Sequence, residues 1–241
     1  MADWFASWFN TKYYHMLYGN RNEHEAKDFI DKLVDVIDVN PDSYLLDLCC
    51  GKGRHSRYLN EKGFSVKGVD LSDQSIEFAK QFENETLNFE IHDMRDQMAG
   101  VSFDVVLNLF TSFGYFENQD DNQKVISSVN SYLKKGGIFV IDFLNVKKVI
   151  DSLPVNETKS CESIDFKINK TLENGFIIKT IEFTDGDDYN YQEKVAALEF
   201  DFFEKALENE GFEITDVYGS YDLDSFDVTK SDRLIIKATK K

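Results

Sequence analysis

Only two prolines interrupt this 241-residue chain, and it has just three cysteines. That scarcity excludes a disulfide-framed secreted scaffold. Cys49 and Cys50 are adjacent, Cys161 stands alone, and no paired Cys-x-x-Cys spacing offers a zinc site. Long apolar runs are missing too. No stretch approaches the ~18 apolar residues of a membrane span, and the opening MADWFASWFNTKYY lacks the basic start and apolar run of a signal peptide. Basic residues are outnumbered, 27 Lys and Arg against 44 Asp and Glu, for a net charge of −17. Polyanion binding is driven by Lys and Arg neutralising phosphates, and here they never cluster beyond a pair. The balance points away from nucleic acid and towards a small-molecule or protein partner. The expectation is a reduced, cytoplasmic protein, monomer or homodimer, with no metal and no membrane attachment.

At 42% hydrophobic the chain is too apolar for disorder. At this length it reads as one large domain, able to bury roughly 70–75% of its unfolded surface. Apolar residues recur at helical spacing over 22–38 (Phe29, Ile30, Leu33, Val34, Ile37), and Pro41 stops that helix. Short apolar runs then alternate with helical stretches. Strands are expected at 44–50, 65–71, 88–93, 103–110 and 138–144, with helices at 54–61, 72–82 and 120–133, the last ended by Gly136-Gly137. Such alternation implies a parallel sheet with right-handed crossovers. After Asn145 the period changes to two. CESIDFKINKTL and GFIIKTIEFT flank the turn Glu173-Asn174-Gly175 and read as a β-hairpin, with a possible third strand at 189–194. A helix over 196–210 and two closing strands follow.

The first strand ends Asp47-Leu48-Cys49-Cys50-Gly51-Lys52-Gly53, and a helix begins at once. Two glycines there let the backbone approach a ligand whose anionic end can lie near the helix N-terminus. Dinucleotide-binding proteins use the same turn, but the third glycine of their G-x-G-x-x-G is absent. Asp47 also puts a carboxylate where a pyrophosphate would be repelled and a cation favoured. Asp70 ends the second strand, where an acid accepts hydrogen bonds from ribose hydroxyls. Asp93, followed by Met94, ends the third, and an acid beside a flat apolar side chain suits the amino group and face of adenine. Asp47, Asp70 and Asp93 thus fall along one sheet edge.

With these residues, the segments LLDLCCGKGRHSRYL, GVDLS, HDMRD, FDVVLNLFTSFGYF and LKKGGIFVIDFLN, roughly 44–145, resemble the class I S-adenosylmethionine (SAM)-dependent methyltransferases of small-molecule type. The resemblance implies an α/β fold. Its Rossmann-like, seven-stranded, mostly parallel sheet would carry helices on both faces, an antiparallel last strand and a β-hairpin insertion after the fifth strand. It implies one methyltransferase domain: a helical cap at 1–40, a SAM-binding core at 41–145, a β lid at 146–195, and the final helix and strands at 196–241. SAM would be the cofactor and S-adenosylhomocysteine the product. Carried over residue by residue, the cofactor site would comprise Asp47, Cys49, Gly51, Gly53, Asp70, Leu71, Asp93, Met94 and Asn108. One departure is plain, since the family usually has glycine where Cys49 stands. The segment YYHMLYGNR resembles helices that close over the cofactor, which adds Tyr14, Tyr18 and Arg21.

Methyl transfer of this kind is an in-line displacement at an already activated sulfonium carbon, so the protein mainly aligns the reactants and excludes water. A general base is needed only for an acceptor that arrives protonated. His15 and Tyr115 are the candidates, with Tyr14 behind them. The resemblance implies transfer to an N or O atom of a small molecule, and the hairpin insertion with its aromatics Phe166, Tyr189 and Tyr191 is expected to form the acceptor lid. Two other readings share the cofactor: a protein or tRNA methyltransferase, and a SAM-binding subunit that does no chemistry itself. A nicotinamide oxidoreductase is disfavoured by Asp47 and by the absent third glycine.

Overall fold

The computed structural model describes residues 8–18 and 23–241. Helices α1 (Lys12–Tyr18) and α2 (Glu23–Ile37) come first. Then β1 (Tyr44–Leu48), α3 (Arg54–Glu61), β2 (Ser65–Asp70), α4 (Asp73–Ala79), β3 (Leu87–Ile91), β4 (Phe103–Asn108), α5 (Gln119–Tyr132) and β5 (Leu133–Leu144) follow in alternation. Local chemistry sets the boundaries. Ser72 caps α4 by accepting the Ser75 amide, and Asn118 caps α5 by accepting the Asp120 amide. Gly136 and Gly137 do not end α5. It stops at Tyr132, and both glycines lie inside β5, where the pairing with β4 slips between Phe103 and Val105.

The main sheet has the order β3-β2-β1-β4-β5-β11-β10, where β10 is Phe212–Tyr218 and β11 is Arg233–Lys240. Every pairing from β3 to β5 is parallel, and β11 runs antiparallel to both β5 and β10. This is the expected seven-stranded arrangement. Its direction of winding reverses between β1 and β4, and open α/β sheets take their ligands at the carboxyl ends of strands beside such a switch. Both faces are covered. Phe29, Ile30, Leu33 and Ile37 of α2 join Leu45, Val66 and Val105 in one buried cluster. On the other face α5 and α7 (Phe200–Asn209) bring Val125, Val129, Phe203 and Leu207 onto Leu46, Val106 and Ile141. Each such side chain contributes about 1.5–3 kcal/mol on full burial, which is why the central strands are apolar without alternation.

The inserted hairpin is the centre of a larger sheet. After α6 (Val146–Asp151), strands β6 (Val155–Cys161), β7 (Ile164–Glu173), β8 (Phe176–Asp185) and β9 (Asp187–Ala196) form an antiparallel meander. The β7–β8 turn has Asn174 and Gly175 both at positive φ, 50° and 79°, as a two-residue hairpin turn with right-handed strand twist requires. The expected third strand extends over all of β9, so the following helix starts at Phe200 rather than at residue 196. β6 had no alternation to read, because its residues from Asn156 to Ser160 are polar and exposed on both sides. The inner face of this sheet (Phe166, Ile168, Ile181, Phe183) packs against Trp8, Tyr13 and Leu17. An insertion too small to bury its own apolar face uses the N-terminal segment to complete its core.

Candidate active site

The loop after β1 is a tight turn: the Cys50 amide donates to Val69 O at 2.9 Å and the Gly53 amide to Cys50 O at 3.0 Å. Gly53 precedes α3 with φ 76°, and a Cβ there would lie 2.6 Å from the Phe89 ring. Gly51 has φ 55°, but no described residue lies within 4 Å of where its Cβ would be. The loop therefore needs glycine twice, once for packing and once with open space over the backbone. Cys49 also adopts the left-handed region, at φ 68°. For a residue with a side chain this costs about 1–2 kcal/mol, which accounts for glycine being usual there. Its Sγ rests 3.5 Å from Met94 Sδ.

Asp47 is buried, and its carboxylate accepts the Ser56 hydroxyl at 2.6 Å. Burial pushes its pKa up to about 6, with the charge of Asp70 adding to the rise. Asp70 accepts the amides of Gly51 and Ser72, both at 2.8 Å, so its oxygens brace the glycine loop against the start of α4. Burial raises its pKa too, against the pull of those amides. Among the described residues no Lys or Arg side chain hydrogen-bonds either acid. Asp93 differs. Burial opposes its charge, but hydrogen bonds from Arg95, at 2.6 Å from Nη2, outweigh that and hold its pKa low. Asn108 is fully buried. Its Nδ2 donates to Leu48 O at 3.1 Å, bridging the β1 and β4 ends, while its Oδ1 has no hydrogen-bond partner among the described residues. Leu71, beside Asp70, is 39% exposed. The thiols of Cys49 and Cys50 are pushed well up by burial first and the nearby acids second, so neither supplies a thiolate.

Residues 8–18 run across this edge. Asn10 accepts from the Ser72 hydroxyl, and Phe9 meets Tyr115 with centroids 5.6 Å apart. His15 is half-buried near the ammonium of Lys52 in the glycine loop; burial first and that charge second lower its pKa to about 4. Tyr14 packs against Trp8, Phe9 and Tyr18. Tyr18 points to the second sheet, its hydroxyl on both oxygens of Glu193 at 2.6 and 2.7 Å, where Trp8 Nε1 also donates at 2.8 Å. Tyr115 donates its proton to Thr111 O at 2.6 Å. Phe166 is fully buried and Tyr189 and Tyr191 pack at a tilt against Tyr13 and Trp8, so these three serve the packing of the strap rather than an open wall. Arg21 lies outside the described residues.

The structure thus brings Asp47, Cys49, Gly51, Gly53, Asp70, Met94 and Asn108 together at the β1–β2–β4 ends, with His15 above them and Tyr18 turned to β9. It adds residues the sequence reading passed over: Ser56, Lys52, Glu193, and the Asp142–Arg233 ion pair behind the loop after β4. Asp142 carried one signal, a lone acid inside the apolar run IFVIDFL. Among the described residues no cluster of three or more His, Cys, Asp or Glu is placed to hold a metal, and no helix is long and apolar enough to cross a membrane.

Comparison with known proteins agrees with this geometry. A family model described as a methyltransferase domain matches residues 45–137. YqeM of Bacillus subtilis (strain 168) is 29% identical over 210 residues, covering 81% of this chain and 83% of that protein. The dTDP-3-amino-3,4,6-trideoxy-alpha-D-glucopyranose N,N-dimethyltransferase of Streptomyces venezuelae is 29% identical over 123 residues, about half of each chain (48% and 51%). The crystal structure of an S-adenosylmethionine-dependent methyltransferase from Clostridium acetobutylicum ATCC 824 shares the fold, with TM-score 0.80, 21% identity, and coverage of 95% and 96%. Residues 45–137 thus match a methyltransferase domain, the fold is that of SAM-dependent methyltransferases, and the enzyme's cofactor is SAM.

Proposed function

We propose that the protein methylates an amine nitrogen of a small molecule, with SAM held at the β1, β2, β3 and β4 ends. One observation carries the cofactor placement: the neighbouring carboxylates of buried Asp47 and half-buried Asp70, whose pKa values are both raised, the charge of Arg54 only partly offsetting the rise at Asp47, and which accept no hydrogen bond from a Lys or Arg side chain among the described residues. A ligand bearing an ammonium and a sulfonium relieves that repulsion, whereas a pyrophosphate would add to it. The open space over Gly51 and the unpartnered Oδ1 of Asn108 offer room and an acceptor to the same ligand. Leu71 and Met94 would cover the adenine and Asp70 would take the ribose hydroxyls, each of its oxygens keeping a lone pair beyond the amide it accepts. Asp93, already engaged by Arg95, has less capacity left for the adenine amino group.

SAM supplies a methyl group on a sulfonium that needs no further activation. The protein's own part is alignment and exclusion of water. Residues 8–18 form an aromatic strap between the glycine loop and the second sheet, and the acceptor would enter beneath it, near Tyr14, Tyr115 and His15. At neutral pH His15 is uncharged, so its free ring nitrogen can accept a hydrogen bond from an N–H of a neutral acceptor amine. With a pKa of about 4 it is a weak base, which suits an amine that arrives already deprotonated.

The relative that acts on an amino sugar supports a nitrogen acceptor. We read the chain as one unit in which 1–40 caps the site, 41–145 binds SAM, 146–195 covers the acceptor and 196–241 completes the sheet. The excess of acidic residues supports an uncharged or cationic small acceptor over nucleic acid, and three free thiols support a reducing cytoplasm. The test is calorimetric titration with S-adenosylhomocysteine, then labelled SAM with amino sugar nucleotides, glycine and sarcosine, using RNA and denatured protein as controls. Micromolar binding and label on an amine support the reading. Binding of NAD in preference, or label on RNA, refutes it.

A further inference from the structure

Directly after β4, Phe110 and Thr111 have φ of 57° and 58°. That region suits glycine, and for a β-branched threonine it is an outlier. Two such residues in succession persist only if their surroundings hold them. The holder is a buried ion pair drawn from two other strands. Asp142 of β5 is fully buried. Its Oδ2 accepts the Phe110 amide at 2.8 Å and the Tyr221 hydroxyl at 3.2 Å, and its backbone oxygen accepts the Thr111 amide at 2.9 Å. Its Oδ1 takes Nε and Nη2 of Arg233, the first residue of β11, at 2.8 and 2.7 Å. The same Nη2 donates to Thr111 Oγ1 at 2.8 Å. One carboxylate and one guanidinium therefore hold both left-handed residues, through main chain and side chain together. The Phe110 ring is stacked on His55 at the start of α3, 4.9 Å away and 16° from parallel.

The clamped pair sits between two groups of the site. Asn108, two residues upstream, bridges to Leu48 O, and Tyr115 downstream rests its hydroxyl on Thr111 O. A loop that merely connected β4 to α5 would use glycine at 110 and 111 and need no buried charge. We propose that Asp142 and Arg233 are positioning residues of the methyl-transfer site: they hold the strained 110–111 backbone and so fix Asn108 and Tyr115 against the SAM-binding loop. The inference rests on the placement of SAM given above.

The test uses the full chain in three forms. Arg233→Lys keeps the charge and loses the planar fork. The pair Asp142→Asn with Arg233→Gln leaves no unpaired buried charge, which guards against loss of folding. Arg233→Lys combined with Thr111→Gly supplies a residue that adopts the left-handed region unaided. Hydrogen exchange should quicken at the Phe110 and Thr111 amides while the β1 and β4 amides stay protected. Calorimetry should show the dissociation constant for S-adenosylhomocysteine rising about tenfold in the first two, as small misplacements at a site do. The glycine should recover most of that loss. A merely structural pair would lower the melting temperature and leave the affinity of the folded protein unchanged, which overturns the inference. Failure of the wild type to bind S-adenosylhomocysteine overturns the site reading and the inference with it; equal binding by wild type and variants overturns the inference alone.

Discussion

Gly51, Gly53 and Gly68, the last two against the Phe89 ring, separate backbone strain from packing, and alanine at each gives a graded result. At Gly51, φ is 55° and no described residue lies within 4 Å of the added Cβ, so alanine meets the left-handed penalty, about 1 kcal/mol. At Gly68, where φ is ordinary, the Cβ would fall 2.5 Å from the Phe89 ring and 2.8 Å from Ser56 Oγ. The ring is nearly buried and cannot swing clear, so overpacking costs about 2 kcal/mol. Gly53 combines the two, with φ 76° and a Cβ 2.6 Å from the same ring, for about 3 kcal/mol. Urea denaturation should rank the losses Gly53→Ala, Gly68→Ala, Gly51→Ala. At roughly 2–4 °C per kcal/mol for a chain of this size, the melting temperatures should follow. Binding should follow a different order. Gly51→Ala places its methyl in the open space assigned to SAM, so the mildest variant for folding should be the folded variant that loses most affinity for S-adenosylhomocysteine. Gly51→Ala that binds like the wild type, or that destabilises as much as Gly53→Ala, refutes the assignment of that space.

Two pH dependences follow from the same geometry. Asp47 has its pKa raised from 3.8 to about 6, so its contribution to stability is fully present below pH 3.8 and is lost as pH rises through 6. A cationic ligand reverses that preference. Calorimetry near pH 6 in buffers of different ionisation heat should therefore register proton release on binding, and affinity should rise as pH climbs through 6; a flat affinity without proton release refutes the contact. His15 has the opposite sign. Its pKa is lowered from 6.5 to about 4, so its contribution is present above pH 6.5 and is lost as pH falls through 4. The ring resonances should titrate near 4, and higher in Lys52→Ala. A midpoint near 6.5 in the wild type would contradict burial of the ring beside Lys52.

Much of the sheet was legible because its signals are local. Apolar runs of strand length alternate with helical spacing, β2 and β4 end on Asp70 and Asn108, and β1 carries Asp47 one residue before its end, residues that side-chain burial alone would not select. The glycine loop was legible for the same reason, since a strand-to-helix turn that opens space for a ligand must be made of residues adjacent in the chain. β6 was not, because a strand exposed on both sides has no periodicity to impose on its sequence.

What tertiary structure alone decided lies in contacts between residues far apart. Arg233 reaches Asp142 across 91 positions, and Tyr18 reaches Glu193 across 175. The insertion's aromatics read from sequence as a lid over the acceptor, yet Phe166, Tyr189 and Tyr191 spend their apolar surface on Trp8 and Tyr13. Composition and period establish that such side chains must be buried; which partners bury them depends on where the chain returns in space. The left-handed residues at 110 and 111 have the same origin, because no local preference of phenylalanine or threonine calls for that conformation and only the buried ion pair behind them supplies it.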